Sequence, residues 1–384
     1  MNRPEEQLSI KQLLMVMEKR EASDLYITAG MPPSLRINGA VHPMNREPLT
    51  ALQCAKLANS AMSERQRAAF AAEFEMNLAL AFPDIGRFRV NVFRQRSQVG
   101  MVIRKVKTEV PTIDQLGLPE IFKDISISPR GLVLMVGATG CGKSTSLAAM
   151  IDWRNSNQAG HIISIEDPIE FVHEHKKCVI TQREVGTDTL EYQTALKNTL
   201  RQAPDVIMIG EIRDRETMEL ALEFAETGHL CMATLHANNS NQALERIINF
   251  FPEEMHPQVC LNLALNLKSI LSQRLAKTPD ERRVAAIEIL INTPRIADLI
   301  GKWGVAEIKE VMANGKNYGM QTFDQHLLQL WAAGLISEDE ALRQADSVNN
   351  LRLQIKMVTL EDQGDSAGDL EQLSGNMNSE EFRI

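Results

Sequence analysis

Five cysteines in 384 residues (Cys54, Cys141, Cys178, Cys231 and Cys260) are widely spaced, odd in number and form no CxxC pair. They give no zinc ligand set and fit a reducing compartment. No stretch approaches the roughly 18 apolar residues of a membrane span, and the opening MNRPEEQLSIKQLL lacks the apolar core of a signal peptide. The expectation is a cytoplasmic chain with no direct membrane insertion, meeting a membrane only through a partner. Basic residues are in deficit too: 41 Lys and Arg stand against 50 Asp and Glu, formally −9. That balance argues against a general nucleic-acid-binding surface, so no nucleic-acid partner is expected. Repeats and low-complexity tracts are missing apart from the C-terminal tail.

What is present is enough apolar residue, 44% of the chain, for about two domains with real cores. The charge is unevenly placed. Residues 361–384 hold seven acids against the single base Arg383 and few large apolar residues, so they are expected to form a disordered acidic tail. Residues 1–106 read as a small α+β domain. Apolar side chains recur at helical spacing over 7–20, DLYITAG and SLRING alternate as strands, 51–73 is helical, and NLALAFP, RFRVNVF and GMVIRKV form a three-stranded meander. In the middle strand Phe88, Val90 and Val92 share one face, and Arg87, Arg89 and Asn91 share the other, where a solvated polar face is the ordinary reading. Residues 107–120, with two prolines and a glycine among polar residues, read as a linker.

From 121 the pattern changes to short apolar runs (GLVLMVG, HIISIED, DVIMIGE, HLCMATLH) alternating with helical segments, the signature of an α/β domain with a largely parallel sheet; from about 240 to 360 it turns predominantly helical. The strongest signal is Gly137-Ala138-Thr139-Gly140-Cys141-Gly142-Lys143-Ser144, followed by Thr145, a full GxxxxGK[ST] between an apolar strand and a helix. Its glycines let successive backbone N–H groups turn inward onto phosphate oxygens. Lys143 is placed to reach the β and γ phosphates, Ser144 to ligate Mg²⁺, and the helix N-terminus adds partial positive charge. Cys141 reads as a spacer. ATP and Mg²⁺ are the expected substrate and ion.

Three further runs supply candidate catalysts. Ser164-Ile165-Glu166-Asp167-Pro168-Ile169-Glu170 ends an apolar strand in three carboxylates, any one of which is a candidate to accept the proton of an attacking water; a loop of solvated acids is the plain alternative. Asp205-Val-Ile-Met-Ile-Gly210-Glu211 has the Walker B pattern, and Glu211, at the strand's carboxyl end, is favoured over Asp205 for the metal. His229 and His236 bracket the next apolar run. Their odd separation on a strand points them to opposite faces, which argues against one shared metal ion. His236 is the better placed to sense the γ phosphate or an adjoining subunit, whereas a structural role for His229 is equally open.

The combination GATGCGKSTSLAAM, SIEDPIEFVH, APDVIMIGEIRD and AETGHLCMATLHANN resembles the secretion ATPase superfamily, and within it the type IV pilus retraction ATPases, over nearly all of residues 7–358. ALKNTLRQAPD and LHANNSNQALERIINFFP are most similar to the PilU-type paralogues of that branch. The resemblance implies a homohexameric ring with a PAS-like N-terminal domain (1–106) and a RecA-like P-loop ATPase domain (121–360). It implies as partners an inner-membrane platform protein, where the ring would sit peripherally, and a principal retraction ATPase. It assigns Glu170 as the catalytic glutamate, Glu211 as the Walker B acid, and His229 and His236 as a histidine box. Arg89 and Arg104 become candidates for a nucleotide-facing clamp. A nucleotide-binding structural subunit of low turnover and a RecA-like nucleic-acid translocase are the competing readings. Two departures bear on function. The AIRNLI stretch of principal retraction ATPases reads here Arg295-Ile296-Ala297-Asp298-Leu299-Ile300, which fits an auxiliary role, and no two-CxxC zinc module of the assembly ATPases is present.

Overall fold

The computed structural model of the chain describes residues 8–106 and 109–363. Their contacts form two compact units, one drawing on residues 1–110 and 163–202 and the other on 111–162 and 203–384, so the grouping is not contiguous in sequence. The acidic stretch expected to be disordered lies outside the described residues from 364 onward; its first three residues continue the last helix. Among the described residues no helix is long and apolar enough to cross a membrane.

The first unit opens with α1 (Ile10–Lys19), started by a capping box between Ser9 and Gln12 and burying Ile10, Leu13, Leu14 and Met17 at helical spacing. Strands β1 (Asp24–Ile27), β2 (Ser34–Ile37) and β3 (Ala40–Pro43) follow. The stretch expected as one helix divides into α2 (Ala51–Ala61) and α3 (Glu64–Glu73), because Ser63 opens a second capping box with Gln66. The meander is β4 (Glu75–Phe82), β5 (Gly86–Gln95) and β6 (Gln98–Lys105), and the six strands form one antiparallel sheet in the order β3-β2-β1-β6-β5-β4. Phe88, Val90 and Val92 are all at most 2% exposed and join Leu14, Leu25 and Ile103 in the core. The alternation read from β5 thus fixes which face carries its arginines. β3, exposed along its whole length, was not legible from any apolar pattern.

Next come α4 (Ile121–Ser126), β7 (Gly131–Val136), α5 (Lys143–Asn157), β8 (Gly160–Glu166), β9 (Cys178–Glu184) and α6 (Tyr192–Thr199). The end of β8, β9 and α6 belong to the first unit. The second unit continues with β10 (Val206–Ile209), α7 (Arg215–Glu226), β11 (Leu230–Leu235), α8 (Ser240–Ile248), α9 (His256–Asn266), β12 (Leu267–Lys277) and β13 (Arg283–Ile291), and ends in five helices, α10 (Pro294–Gly301), α11 (Val305–Ala313), α12 (Phe323–Ala332), α13 (Glu338–Gln344) and α14 (Val348–Gln363). Its strands lie in the order β13-β12-β7-β11-β10, parallel except for the β12–β13 hairpin. β7, β10 and β11 are buried at nearly every position, as central parallel strands covered on both faces must be. The segment 240–360 is predominantly helical as expected, but it also contains this hairpin, which the sequence reading did not anticipate. Its polar residues Ser269, Ser272, Gln273 and Glu288 are buried and hydrogen-bonded or packed in the sheet, so the sequence shows no clean period of two.

Candidate functional site

In the second unit, the buried strand β7 delivers the chain into Gly137, and the loop closes on Gly142 at φ 90°, immediately before α5. Gly137 (φ 152°) and Gly140 (φ 78°) are also in the region that favours glycine. No side chain caps the start of α5, so its first N–H groups stay available to an anion. The Lys143 ammonium, 8% exposed, donates to the carbonyls of Gly137 at 2.8 Å and Ala138 at 3.0 Å. It therefore lies folded over the loop that would hold phosphate. Ala138 and Thr139 are exposed at the loop's crest, and Ser144 and Thr145 occupy the first turn of α5, half-buried. Burial pushes the Cys141 thiol up, with Lys143 offsetting only part of that, so it is a poor nucleophile and a spacer in the turn.

Two neighbouring strand ends add charge. Glu211 follows β10, and its carboxylate accepts from Arg213 Nε at 2.8 Å and from His236 Nε2 at 3.0 Å. His236 follows β11 and shares a cavity of about 330 Å³ with Gly137, Ala138, Asn238, Gln242 and Arg246. Its imidazole is held below the usual histidine value by burial first and by the Lys143 cation second, with Glu211 pulling the other way. The neutral ring then donates Nε2–H to Glu211. His229 lies elsewhere. Its Nδ1 is 3.2 Å from the Phe224 carbonyl at the end of α7, and its own carbonyl accepts from Gly131 N at the start of β7, the edge opposite the phosphate turn. Asp205 is at that same edge, accepting from His161 N at 2.7 Å.

In the first unit, β8 ends in carboxylates of contrasting environment. Glu166 is 6% exposed, accepts from Ser164 Oγ at 2.7 Å and Gln182 Nε2 at 3.2 Å, and is pushed by burial to about 7 despite those bonds. Asp167 and Glu170 are exposed. The loop presenting Glu170 is held from β9 by two side chains that sequence reasoning missed. Glu184, 5% exposed, accepts from Ile169 N at 3.2 Å; Gln182 donates to the Phe171 carbonyl at 2.9 Å and accepts from His173 N at 2.8 Å. These two residues are spaced i, i+2 on one strand face. Only that spacing in TQREVG could have pointed to them.

The arginine face of β5 turns toward the same acids. Arg87 reaches Glu184 at 3.6 Å. The Arg89 guanidinium is pulled down chiefly by burial and up by Glu170, Glu184 and Asp167. Arg104 stands directly opposite Arg89 in the β5–β6 register, a like-charge pairing that costs stability in a sheet unless countered. Its Nε donates to Asp24 at 2.8 Å, and that carboxylate is almost fully buried. Arg104 is held by Asp24, and both Arg104 and Arg89 line a cavity of about 330 Å³ together with Asn77, Asn91, Asp167 and Glu184.

Comparison with known proteins places these features in a family. A family model described as Type II/IV secretion system protein matches residues 2–346. The chain is 57% identical over 351 residues to the Type IV pilus ATPase PilU of Pseudomonas aeruginosa, covering 91% of this chain and 92% of that one. It is 44% identical over 343 residues to the Type IV pilus retractation ATPase PilT of the same organism, covering 89% of this chain and 100% of that one. Among solved structures, the pilus retraction motor PilT with bound ADP matches with a TM-score of 0.84 and 38% identity over 90% of this chain and 99% of that one. The chain belongs to the type II/IV secretion system protein family, and within it to the type IV pilus ATPases.

Proposed function

We propose that this chain is one subunit of a homohexameric ring that couples ATP hydrolysis to type IV pilus retraction as a PilU-type auxiliary motor. It would act beside a principal retraction ATPase and on an inner-membrane platform protein, in the cytoplasm at the inner membrane. The observation that carries the reading is the phosphate turn itself, with Lys143 folded over a glycine loop and Glu211 and His236 at adjacent strand ends. Under this reading residues 1–106 form a PAS-like domain, 107–120 a linker and 121–360 a RecA-like ATPase domain.

The backbone N–H groups of Gly137–Thr145 and the Lys143 ammonium would bind and orient the phosphates. The Ser144 hydroxyl and Glu211 carboxylate are a hard-oxygen donor set of the kind that suits Mg²⁺ bound jointly by protein and phosphate, and Mg²⁺ when bound neutralises phosphate charge. Glu170, exposed on its pinned loop, would orient the attacking water and accept its proton. Arg89 and Arg104, which line one cavity, would stabilise charge developing on phosphate, with Asp24 orienting the Arg104 guanidinium. His236 would respond to the nucleotide through Glu211. His229 would secure the end of α7.

The auxiliary role draws on α10. Ile296, Leu299 and Ile300 are buried, Arg295 is exposed, and Ala297 and Asp298 are half-buried, with Asp298 pairing with Lys302 at 2.7 Å. The departures from AIRNLI, Ala297 and Asp298, thus lie outside the buried face that Ile296, Leu299 and Ile300 form. Deleting this chain while leaving the principal motor in place should lower retraction force in a tethered-bead assay. Unchanged retraction under load would overturn the auxiliary-motor reading.

A further inference from the structure

β12 pairs with β7 in parallel, Ser272 opposite Val136, so the next residue, Gln273, lies beside Gly137 where the phosphate turn begins. Gln273 is 3% exposed and uses both ends of its amide on the turn. Nε2 donates to the Cys141 carbonyl at 2.7 Å, and Oε1 accepts from Ser146 Oγ at 2.7 Å. Its orientation is fixed, because a carbonyl only accepts. Cys141 and Ser146 flank Gly142, Lys143, Ser144 and Thr145, so one side chain holds both ends of the segment that presents the lysine and the metal-side hydroxyl.

The same residue explains two of the turn's glycines. A Cβ on Gly137 would lie 2.5 Å from the Gln273 carbonyl oxygen, and one on Gly142 would lie 2.8 Å from Gln273 Nε2. The glycines therefore serve close approach to β12 as well as positive φ. The residues on either side of Gln273 reach other parts of the second unit. Ser272 donates to Glu288, which also accepts from Ser240 at the start of α8; Arg274 pairs with Asp346 at 2.6 Å and lies 3.9 Å over the Phe323 ring. β12 thus carries contacts from the C-terminal helices to the phosphate turn in three consecutive residues.

We infer that Gln273 is a positioning residue for nucleotide binding: its amide sets the conformation of the phosphate turn and so the placement of Lys143. The inference rests on the nucleotide reading above and goes beyond it to a residue outside every motif. It is tested on the full chain with three variants, reading ATP affinity by calorimetry, turnover by phosphate release, and folding by thermal melting. Gln273→Met, similar in volume but unable to hydrogen-bond, should weaken ATP binding on the order of ten- to thirtyfold, the loss of two buried hydrogen bonds. Ser146→Ala, which removes one arm only, should cost roughly three- to tenfold. Gln273→Glu supplies a readout that a general packing defect would not move. When protonated, its carboxyl reproduces both the donor and the acceptor of the amide, so its affinity relative to wild type should recover as pH falls from 8 to 6.

Wild-type affinity and turnover in folded Gln273→Met would overturn the inference. Should that variant fail to fold, unchanged affinity in Ser146→Ala, or a Gln273→Glu ratio that is flat with pH, would overturn it equally. A wild-type chain that binds no ATP would overturn the nucleotide reading and this inference together; ATP binding by wild type with unaltered variants overturns this inference alone.

Discussion

In the phosphate turn of the second unit, the chemistry is carried by backbone: glycines at positive φ, an uncapped helix start and one lysine lying on the carbonyls of its own loop. The carboxylate loop of the first unit is made of side chains sorted by environment. Glu166 is buried and pushed to about 7, Glu184 is buried beside Arg87, and Glu170 is left exposed on a loop that Gln182 and Glu184 hold at three backbone points. A site made of main chain depends on local conformation. One made of acids depends on burial and on partners far away in sequence, and within it the buried Glu166 is not the acid left exposed.

The largest effect should come from the turn. Lys143→Ala removes a charge-assisted contact to phosphate and should weaken ATP binding on the order of a hundredfold or more by calorimetry. Affinity within a few-fold of wild type would remove the lysine from the phosphate site. Glu170→Gln should act on the other half alone: turnover falls on the order of 10²–10³-fold while ATP affinity is retained. Wild-type phosphate release by that variant would shift the role to another acid.

A smaller effect separates holding the loop from acting in it. Gln182→Ala and Glu184→Ala should each lower kcat roughly tenfold with KM little changed, because each frees one or more backbone contacts of the Glu170 loop. Glu184→Gln keeps an acceptor for Ile169 N and loses the charge facing Arg87 and the acceptor for Thr187 Oγ1, so it should fall less than Glu184→Ala. The reverse ranking would mean that the ion pair, and not the hydrogen bond, positions the loop.

The smallest effect on turnover belongs to Glu166, whose signature is in stability. Its carboxyl titrates at about 7 in the folded chain against an ordinary 4.5, so between those values the folded state binds the extra proton and stability falls as pH rises, by up to about 3 kcal/mol. Glu166→Gln, which keeps the Ser164 and Gln182 contacts, should abolish that fall and melt higher than wild type above pH 7. Thermal melts from pH 5 to 8 check it; parallel pH profiles for the two proteins would contradict the burial argument.

The contrast also governs what the sequence made legible. The turn, its flanking strand and helix, and Glu211 at its strand end are local patterns, and they stand in the structure at the positions expected. The face of β5 carrying Arg87 and Arg89 followed from period two. Gln182, Glu184 and Gln273 were not visible, because a buried or half-buried polar residue on a strand looks like a solvated one until its partners, 9 to 132 positions away, are known. The β12–β13 hairpin was missed for the same reason, since Ser272, Gln273 and Glu288 interrupt the apolar pattern from inside the core. His229 shows the converse: a motif residue whose neighbours in space are the end of α7 and the start of β7.

Binding and turnover should separate between these two regions, and one measurement addresses that separation: ATP binding by calorimetry and phosphate release, taken on the same preparations of full-length wild type, Lys143→Ala and Glu170→Gln. The expected result is that Lys143→Ala loses both, whereas Glu170→Gln binds as wild type does and releases almost no phosphate. Equal losses of binding and turnover in the two variants, or turnover by Glu170→Gln at the wild-type rate, would contradict it.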